Sequence, residues 1–324
     1  MIFGVLPGRQ GVLDPDWLAP SEEQALAYVS AAKSTNTLRA YRADWADFTG
    51  WCFAHDRVSL PATPETIVLY LTERSDIARA ATLTRRLSAI GRAHKIADCE
   101  SPVRATAIRD LMAGIRRTQT SAPTAKKPLL VEDLKRILAA LPESTLGRRD
   151  RALLLLGFTG AFRRSELVAL DCEDIAATDH GLTVTIGATK IDAGKSSRTV
   201  RIPFGSAEEG TCPAAAVEGW RRAARIDTGA VFRVVTRHGK VLDKRLSGEA
   251  VGLVVKHRVE VLGYNPAQFG GHSLRAGLAT SAALAGKSET SIMRQTGHRS
   301  VTAVRRYIRD SDLFRENAAE GLGL

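Results

Sequence analysis

One stretch of this chain, Gln119-Thr-Ser-Ala-Pro-Thr-Ala-Lys-Lys-Pro128, breaks the apolar periodicity that runs on either side of it. Two prolines among small polar residues suit a linker and no packed element, so the chain has to build two separate cores. Its 324 residues are enough for two domains that each bury one. The expected layout is an arm over residues 1–18, a helical domain over 19–118, the linker over 119–128, a second domain over 129–309 and a tail over 310–324.

Pro7, Pro15 and Pro20 keep the arm from forming a helix, and a short helical pattern follows from Glu22 to Ala31. Ser34 is placed to cap a helix through Leu38, Tyr41, Trp45, Phe48, Trp51 and Cys52, apolar positions three and four residues apart. Thr63 before Pro64 and Glu65 reads as an N-cap with proline in the first turn, opening a helix to about Arg74. Helices over Ala81–Ala97 and Val103–Arg117 complete the first domain. Beyond the linker, helical patterns span about Val131–Leu141, Arg148–Phe158 and Arg163–Leu170. Leu182–Ile186 and Arg198–Ile202 then alternate as strands around the turn-rich Gly187–Ser197. Further helices are expected at Pro213–Ile226, Gly248–Leu262, Ser273–Ala285, Glu289–Gln295 and Val301–Ile308. The fold class is therefore mainly α, with a small β-hairpin in the second domain.

Charge narrows the partners. Lys and Arg number 46 against 35 Asp and Glu, a formal charge of +11, and most of the cations are arginine, whose planar fork suits bidentate phosphate binding. Between Arg79 and Arg117 nine basic residues face three acidic ones, so that helical pair should carry a positive face, and nucleic acid is the leading partner. The longest apolar runs, such as Leu153 to Phe158, fall far short of the ~20 residues a bilayer requires, so no membrane partner is expected. The first residues lack a basic segment followed by a long apolar one, which points to the cytoplasm. Cys52, Cys99, Cys172 and Cys212 form no CxxC pair, and His55 near Cys52 lacks a second ligand pair. No GxxxxGK[ST], GxGxxG, HExxH or GxSxG occurs. Neither a metal nor a cofactor is expected.

A scattered set of groups suited to phosphate remains: Arg163, Lys190, His272, Arg275, His298 and Tyr307. Singly, each has an ordinary explanation as a helix start, a loop lysine, a cap, a turn residue or a core tyrosine. Their spacing is more telling. Thr159-Gly-Ala-Phe-Arg-Arg-Ser-Glu-Leu contains R-x-x-E-L at Arg163 and Glu166. Ile186-Gly-Ala-Thr-Lys190 runs from one strand toward the next, and Gly271-His-Ser-Leu-Arg275 contains H-x-x-R. Tyr307 follows His298 by nine residues and His272 by 35.

These blocks resemble those of the tyrosine recombinases, or phage-type integrases. Ser34-Thr-Asn-Thr-Leu-Arg-Ala-Tyr41 with Asp44, and Thr82-Leu-Thr-Arg-Arg-Leu87, are similar to the core-binding domain of Cre-like members, so the likeness runs from about residue 20 to 315. The resemblance implies a SAM-like helical core-binding domain and an α+β catalytic domain forming a C-shaped clamp on DNA. It implies that Arg163, Arg275 and His298 stabilise the charge of a pentacoordinate phosphorane-like transition state. Tyr307 would attack to form a 3′-phosphotyrosyl link. A free phenol has a pKa of ~10, so His272 is expected to take or share its proton, with Lys190 as general acid for the 5′ oxygen and Glu166 orienting the cations. Arg85, Arg86 and Arg92 lie on a helix that the resemblance places in the major groove, and Arg42 is expected to join them.

The implied activity is site-specific recombination of double-stranded DNA through a Holliday junction. The implied assembly is a homotetramer on two sites that is monomeric or weakly associated without DNA, with an accessory protein as a further partner. Integration, excision and dimer resolution, on a mobile element or at the nucleoid, all use this chemistry. Two rival readings stand beside it. Ser288 to Val304 passes for a helix-turn-helix with Gly297 in its turn, as in a non-catalytic regulator. A type IB topoisomerase or telomere resolvase would share the nucleophile and its cations. About 20 residues before the first helix leave no room for a separate arm-binding domain, which favours the two-domain Cre or Xer design.

Leu313, Phe314, Ala318, Ala319 and Leu322 give the tail one apolar helical face, which suits docking on a neighbouring protomer. Truncation after Asp312 is therefore expected to abolish cooperative binding to paired sites in a gel-shift titration; unchanged cooperativity would refute the docking.

Overall fold

The computed structural model describes residues 35–119, 126–187 and 197–298, and beyond them 300–302, 304–305 and 307. The chain divides into two compact units, Met1–Pro123 and Thr124–Leu324, and is mainly helical with two small antiparallel sheets. The expected Glu22–Ala31 helix, the tail and Lys190 lie outside the described residues.

In the first unit, α1 (Thr35–Ala54), α2 (Pro64–Ser75), α3 (Ala80–Ile96) and α4 (Thr106–Thr118) surround one core. The periodicity of α1 puts Phe48 and Trp51 on one face, where both rings meet Tyr70 of α2 edge-on at 5.0 and 5.5 Å. Such pairs add to the area that burial already removes from water. Thr63 caps α2 as its sequence predicts, its hydroxyl accepting the Thr66 N–H at 3.3 Å. The single helix expected over Val103–Arg117 is broken: Pro102–Arg104 form a 3-10 turn, and extended backbone at Ala105 (φ −56°, ψ 143°) precedes α4.

His94 is fully buried, its Nδ1 hydrogen-bonded to the Ile90 carbonyl and its Nε2 accepting the Ala62 N–H at 2.9 Å. It joins α3 to the loop before α2. Gln119, which the sequence places in the linker, caps α3 in place of Arg79: its Oε1 accepts the Ala80 N–H at 2.7 Å while its Nε2 donates to the carbonyls of Ser75 and Ala78.

The second unit opens with α5 (Val131–Ala139) and α6 (Thr145–Thr159). Ala152 to Leu156 of α6 are all buried, so this helix is covered on every side, as a run without polar interruption should be. Next come α7 (Arg164–Ala169), β1 (Ile175–Thr178), β2 (Gly181–Ile186) and β3 (Arg198–Pro203), which form a sheet in the order β1-β2-β3. Leu182 pairs with Ile202 and Val184 with Val200, all facing the core. β1 adds a third strand that the alternation pattern does not reveal, because only Ile175 of its four residues is even half-buried. The β1–β2 turn needs Gly181, at φ 140°, where a Cβ would lie 2.0 Å from the Ile202 carbonyl.

After α8 (Pro213–Ala224) a second hairpin, β4 (Arg233–Val235) and β5 (Val241–Arg245), is too short and irregular to signal itself. α9 (Gly248–Val261), α10 (His272–Leu284) and α11 (Glu289–Thr296) follow, and residues 301–307 continue as helix where described. The segment before α5 lies against α10: the Leu129 N–H donates to the Ser273 carbonyl at 3.0 Å, and a Cβ on Gly277 would stand 1.9 Å from the Leu129 oxygen. That backbone contact sets how deeply α10 sits.

Asp150 is buried between two guanidinium groups. Arg149 donates to its Oδ1 at 2.7 and 3.0 Å, and Arg258 of α9 to its Oδ2 at 2.5 and 2.9 Å. Removing the one carboxylate strands two buried cations, so Asp150→Asn is expected to destabilise the second unit by about 3–5 kcal/mol, read from urea unfolding at pH 7.

Candidate active site

Arg163 is the N-cap of α7, in extended backbone. Glu166, one turn on, accepts its main-chain N–H at 2.8 Å through Oε2 and its guanidinium Nη1 at 2.6 Å through Oε1. The R-x-x-E spacing is thus a local capping arrangement, and it holds a half-exposed arginine at the helix mouth.

His272 opens α10 and Arg275 follows three residues later, which puts both on one helical face at different depths. Arg275 is only 1% exposed. Its Nη1 donates to the Ala161 carbonyl at 2.8 Å, and Ala161 adopts the left-handed region at φ 48°, a conformation rare outside glycine. Its Nη2 is buried without a hydrogen-bond partner among the described residues, although buried donors are nearly always paired. His272, closer to solvent, has its Nε2 2.8 Å from the Tyr307 hydroxyl.

His298 follows Gly297, whose φ of 68° ends α11; a Cβ there would also come within 2.3 Å of Arg198 Nη1. Glycine is needed for both reasons. His298 Nδ1 lies 2.7 Å from the buried hydroxyl of Thr296, which is also 2.7 Å from the Ile292 carbonyl. That hydroxyl has one hydrogen to give, so Thr296 selects the tautomer His298 holds. Tyr307 packs against a small cluster of Ala279, Ala283, Ile292 and Val304, its ring 5.8 Å from that of His298.

The structure thus gathers Arg163, Glu166, His272, Arg275, His298 and Tyr307 in the second unit, while Lys190 falls outside the described residues. Sequence reasoning overlooked Arg198, which reads there only as the start of a strand. Its Nη1 donates to the Gln295 carbonyl at 3.1 Å, and its Nη2 stands 3.7 Å from Glu166 Oε2. Thr296 and Ala161 were equally invisible, since neither residue type signals chemistry.

Among the described residues three arginines stand around one carboxylate, and the electrostatics follow from that. Burial, then the nearby Arg163 charge, brings Arg275 down to about 10, still protonated at pH 7. Burial also lowers His272, assisted by Arg275 and Arg163. His298 is pushed down to about 4, by burial first and then by Arg275, Arg163, His272 and Arg198. Both imidazoles are therefore neutral at pH 7, and a neutral His272 can accept the Tyr307 proton. Among the described residues no group of three or more His, Cys, Asp or Glu side chains is placed to hold a metal ion.

The four arginines expected to read DNA fare differently. Arg85 donates through Nε and Nη2 to buried Asp44 at 2.8 and 3.0 Å, and Arg86 Nη1 lies 2.7 Å from Asp47 and 3.1 Å from the Tyr70 hydroxyl. Both are engaged in holding α3 against α1 and α2. Arg42 is exposed and Arg92 half-buried, and neither makes a hydrogen bond or ion pair among the described residues.

A histidine whose cation is disfavoured in the folded state takes up its proton in the unfolded chain first. For His298, folded near 4 and unfolded near 6.5, the stability this confers is complete above pH 6.5 and drains away as pH falls toward 4. The thermal midpoint is expected to fall across that window, less steeply in His298→Asn, and the His298 ring should titrate near pH 4 by NMR.

The Phage integrase family model matches residues 127–313. The chain is 40% identical over 291 residues to an integrase/recombinase xerD homolog of Selenomonas ruminantium, covering 89% of this chain and 85% of the relative. It is 26% identical to the recombinase cre of Escherichia phage P1, over 83% of this chain and 81% of that protein. Among solved structures, the XerH site-specific recombinase bound to its palindromic difH substrate superposes with a TM-score of 0.65 at 16% identity, covering 93% of this chain and 84% of that one. A lambda integrase fragment bound to a COC′ core site gives a TM-score of 0.57 at 17% identity, covering 91% and 95%. A family model running from residue 127 to 313 and a relative 40% identical over 89% of the chain leave one assignment: the chain belongs to the phage integrase family and is a tyrosine recombinase.

Proposed function

We propose that this recombinase cleaves and rejoins duplex DNA at specific sites, with Tyr307 as the attacking group. The observation that carries the reading is the 2.8 Å contact between the Tyr307 hydroxyl and His272 Nε2, beside a buried Arg275 with a spare donor. The phenolic proton passes to neutral His272 as the oxygen attacks phosphorus. The new bond joins the tyrosine to the 3′-phosphate, the bond to the 5′ oxygen breaks, and that oxygen takes its proton from Lys190. Arg163, Arg275 and His298 offset the charge that grows on the non-bridging oxygens. An arriving phosphodiester also raises the pKa of His298, because an adjacent anion favours the imidazolium.

The phosphotyrosyl link keeps the energy of the ester it replaced. A 5′-hydroxyl from a second duplex therefore closes the backbone without a nucleotide, and two such rounds pass through a Holliday junction. We assign the helical unit over 19–118 to gripping DNA, with Arg42 and Arg92 as its free phosphate ligands, and residues 129–309 to catalysis. The assembly is a tetramer on two sites, acting in the cytoplasm on nucleoid or mobile-element DNA. The S. ruminantium relative and the XerH complex, which holds a difH substrate after cleavage, support this reading. Phosphate contacts would make binding strongly salt-dependent.

A nicked suicide duplex carrying the cognate site tests the nucleophile. Wild-type protein should form a covalent adduct on a denaturing gel, and Tyr307→Phe should bind with similar affinity and form none. Equal adduct from both would remove Tyr307 from the role. Binding without adduct from either would mark a non-catalytic DNA-binding protein.

A further inference from the structure

Among the described residues Glu166 is the one carboxylate beside the three arginines of the site, and Arg163 holds it through two hydrogen bonds, one to each oxygen. Only the second of these engages the guanidinium, through Nη1, so in the absence of DNA one Arg163 donor is committed to Glu166 Oε1, although the proposed function requires that guanidinium on a phosphate. Drawing it away would leave Oε1 of a half-buried carboxylate without its charged donor while Oε2 keeps the main-chain N–H, and a charged group that loses a hydrogen bond under partial burial is costly.

Arg198 is placed to prevent that cost. Its guanidinium lies against the Gly297 backbone and is anchored by Nη1 to the Gln295 carbonyl. Its Nη2 is sealed from solvent, has no hydrogen-bond partner among the described residues, and has Glu166 Oε2 3.7 Å away. Burial disfavours the Arg198 cation, and the Glu166 charge is what favours it. With Nη1 on the Gln295 carbonyl and Nη2 sealed, both terminal nitrogens of Arg198 are directed at the protein, so Arg198 acts through its neighbours. A movement of Glu166 by under ~1 Å turns the 3.7 Å approach into a charge-assisted hydrogen bond of ordinary length.

We propose that Arg198 is a positioning residue that receives Glu166 when the scissile phosphate draws Arg163 away, so that the carboxylate is handed from one arginine to the other. The inference rests on the reading of Arg163 as a phosphate ligand. In the DNA-free state Arg163 is held back by Glu166; in the DNA-bound state Glu166 is retained by Arg198, and Arg163 is free to act. The hand-off also keeps the Gln295–His298 turn fixed during the change, because the same guanidinium supports both.

The hand-off predicts that the need for Arg198 disappears when Glu166 has no charge to hand over. Single-turnover cleavage of the nicked duplex should be measured with the full chain as wild type, Arg198→Gln, Arg198→Lys, Glu166→Gln and the Arg198→Gln/Glu166→Gln double variant. Arg198→Gln should slow adduct formation about 10-fold or more with the duplex Kd within about 3-fold. Arg198→Lys, which retains the charge but only a single nitrogen, should fall between. In the Glu166→Gln background the same Arg198→Gln change should alter the rate by less than about 2-fold. An equal loss in both backgrounds would overturn the hand-off and leave Arg198 a structural support. Thermal midpoints of all five proteins identify a variant that fails to fold, in which case Arg198→Lys in the two Glu166 backgrounds gives the same comparison. Failure of wild-type protein to form any adduct would remove the site reading itself, and the hand-off with it.

Discussion

A guanidinium is stable inside a protein only where acceptors take up its donors, and the second unit is arranged around that demand at Arg275. The acceptor is the Ala161 carbonyl, presented by a left-handed residue just after α6. The depth of α10 is set where Gly277 admits the Leu129 carbonyl. Once α10 is at that depth, Arg275 is buried and His272, nearer the helix start, remains at the surface to meet Tyr307. A bulkier residue at position 277, or a different backbone at 161, would move both groups together. The chemistry therefore depends on two features with no chemistry of their own.

The same burial determines the charge states. Among the described residues, Arg163 and Arg198 stand within ion-pair distance of Glu166 and Arg275 feels its charge, so three guanidinium groups set against one carboxylate leave an excess of positive charge and a spare buried donor. Neutral imidazoles are the natural response: an added positive charge on His272 or His298 would have to form beside Arg275 and Arg163. An anion relieves this imbalance better than any rearrangement of the protein. That is the electrostatic basis for reading the cluster as a phosphate site, and for expecting its internal ion pairs to change partners when a phosphate arrives.

Charge in the first unit is used in a different way. The count between Arg79 and Arg117 implies a basic face, but composition does not distinguish a free arginine from a paired one. Arg85 and Arg86 differ little from Arg92 in the sequence; the fold brings Asp44 and Asp47 of α1 against the first two and gives the third no partner among the described residues. The residues 41 positions apart that form the Arg85–Asp44 pair carry no periodic signal linking them. Gln119 illustrates the same limit, since a polar residue at the head of a linker turns out to cap a helix that begins 39 positions earlier.

The sequence by itself determined the helices whose apolar residues recur at three and four, the paired strands β2 and β3, the Thr63 cap, and the spacing of Arg163, Glu166, His272, Arg275, His298 and Tyr307. Each of these is a local property, written in intervals along the chain. Strands β1, β4 and β5 carry no clear sequence signal because exposed or very short strands need not alternate, and the break at Ala105 carries none because Pro102, which opens the 3-10 turn, equally suits the first turn of a continuous helix. Only the tertiary structure decided that Arg275 keeps a spare donor, that both histidines are neutral, and that Arg198 stands behind Glu166. Those are consequences of burial and of distances between segments far apart in sequence, and desolvation has no sequence pattern.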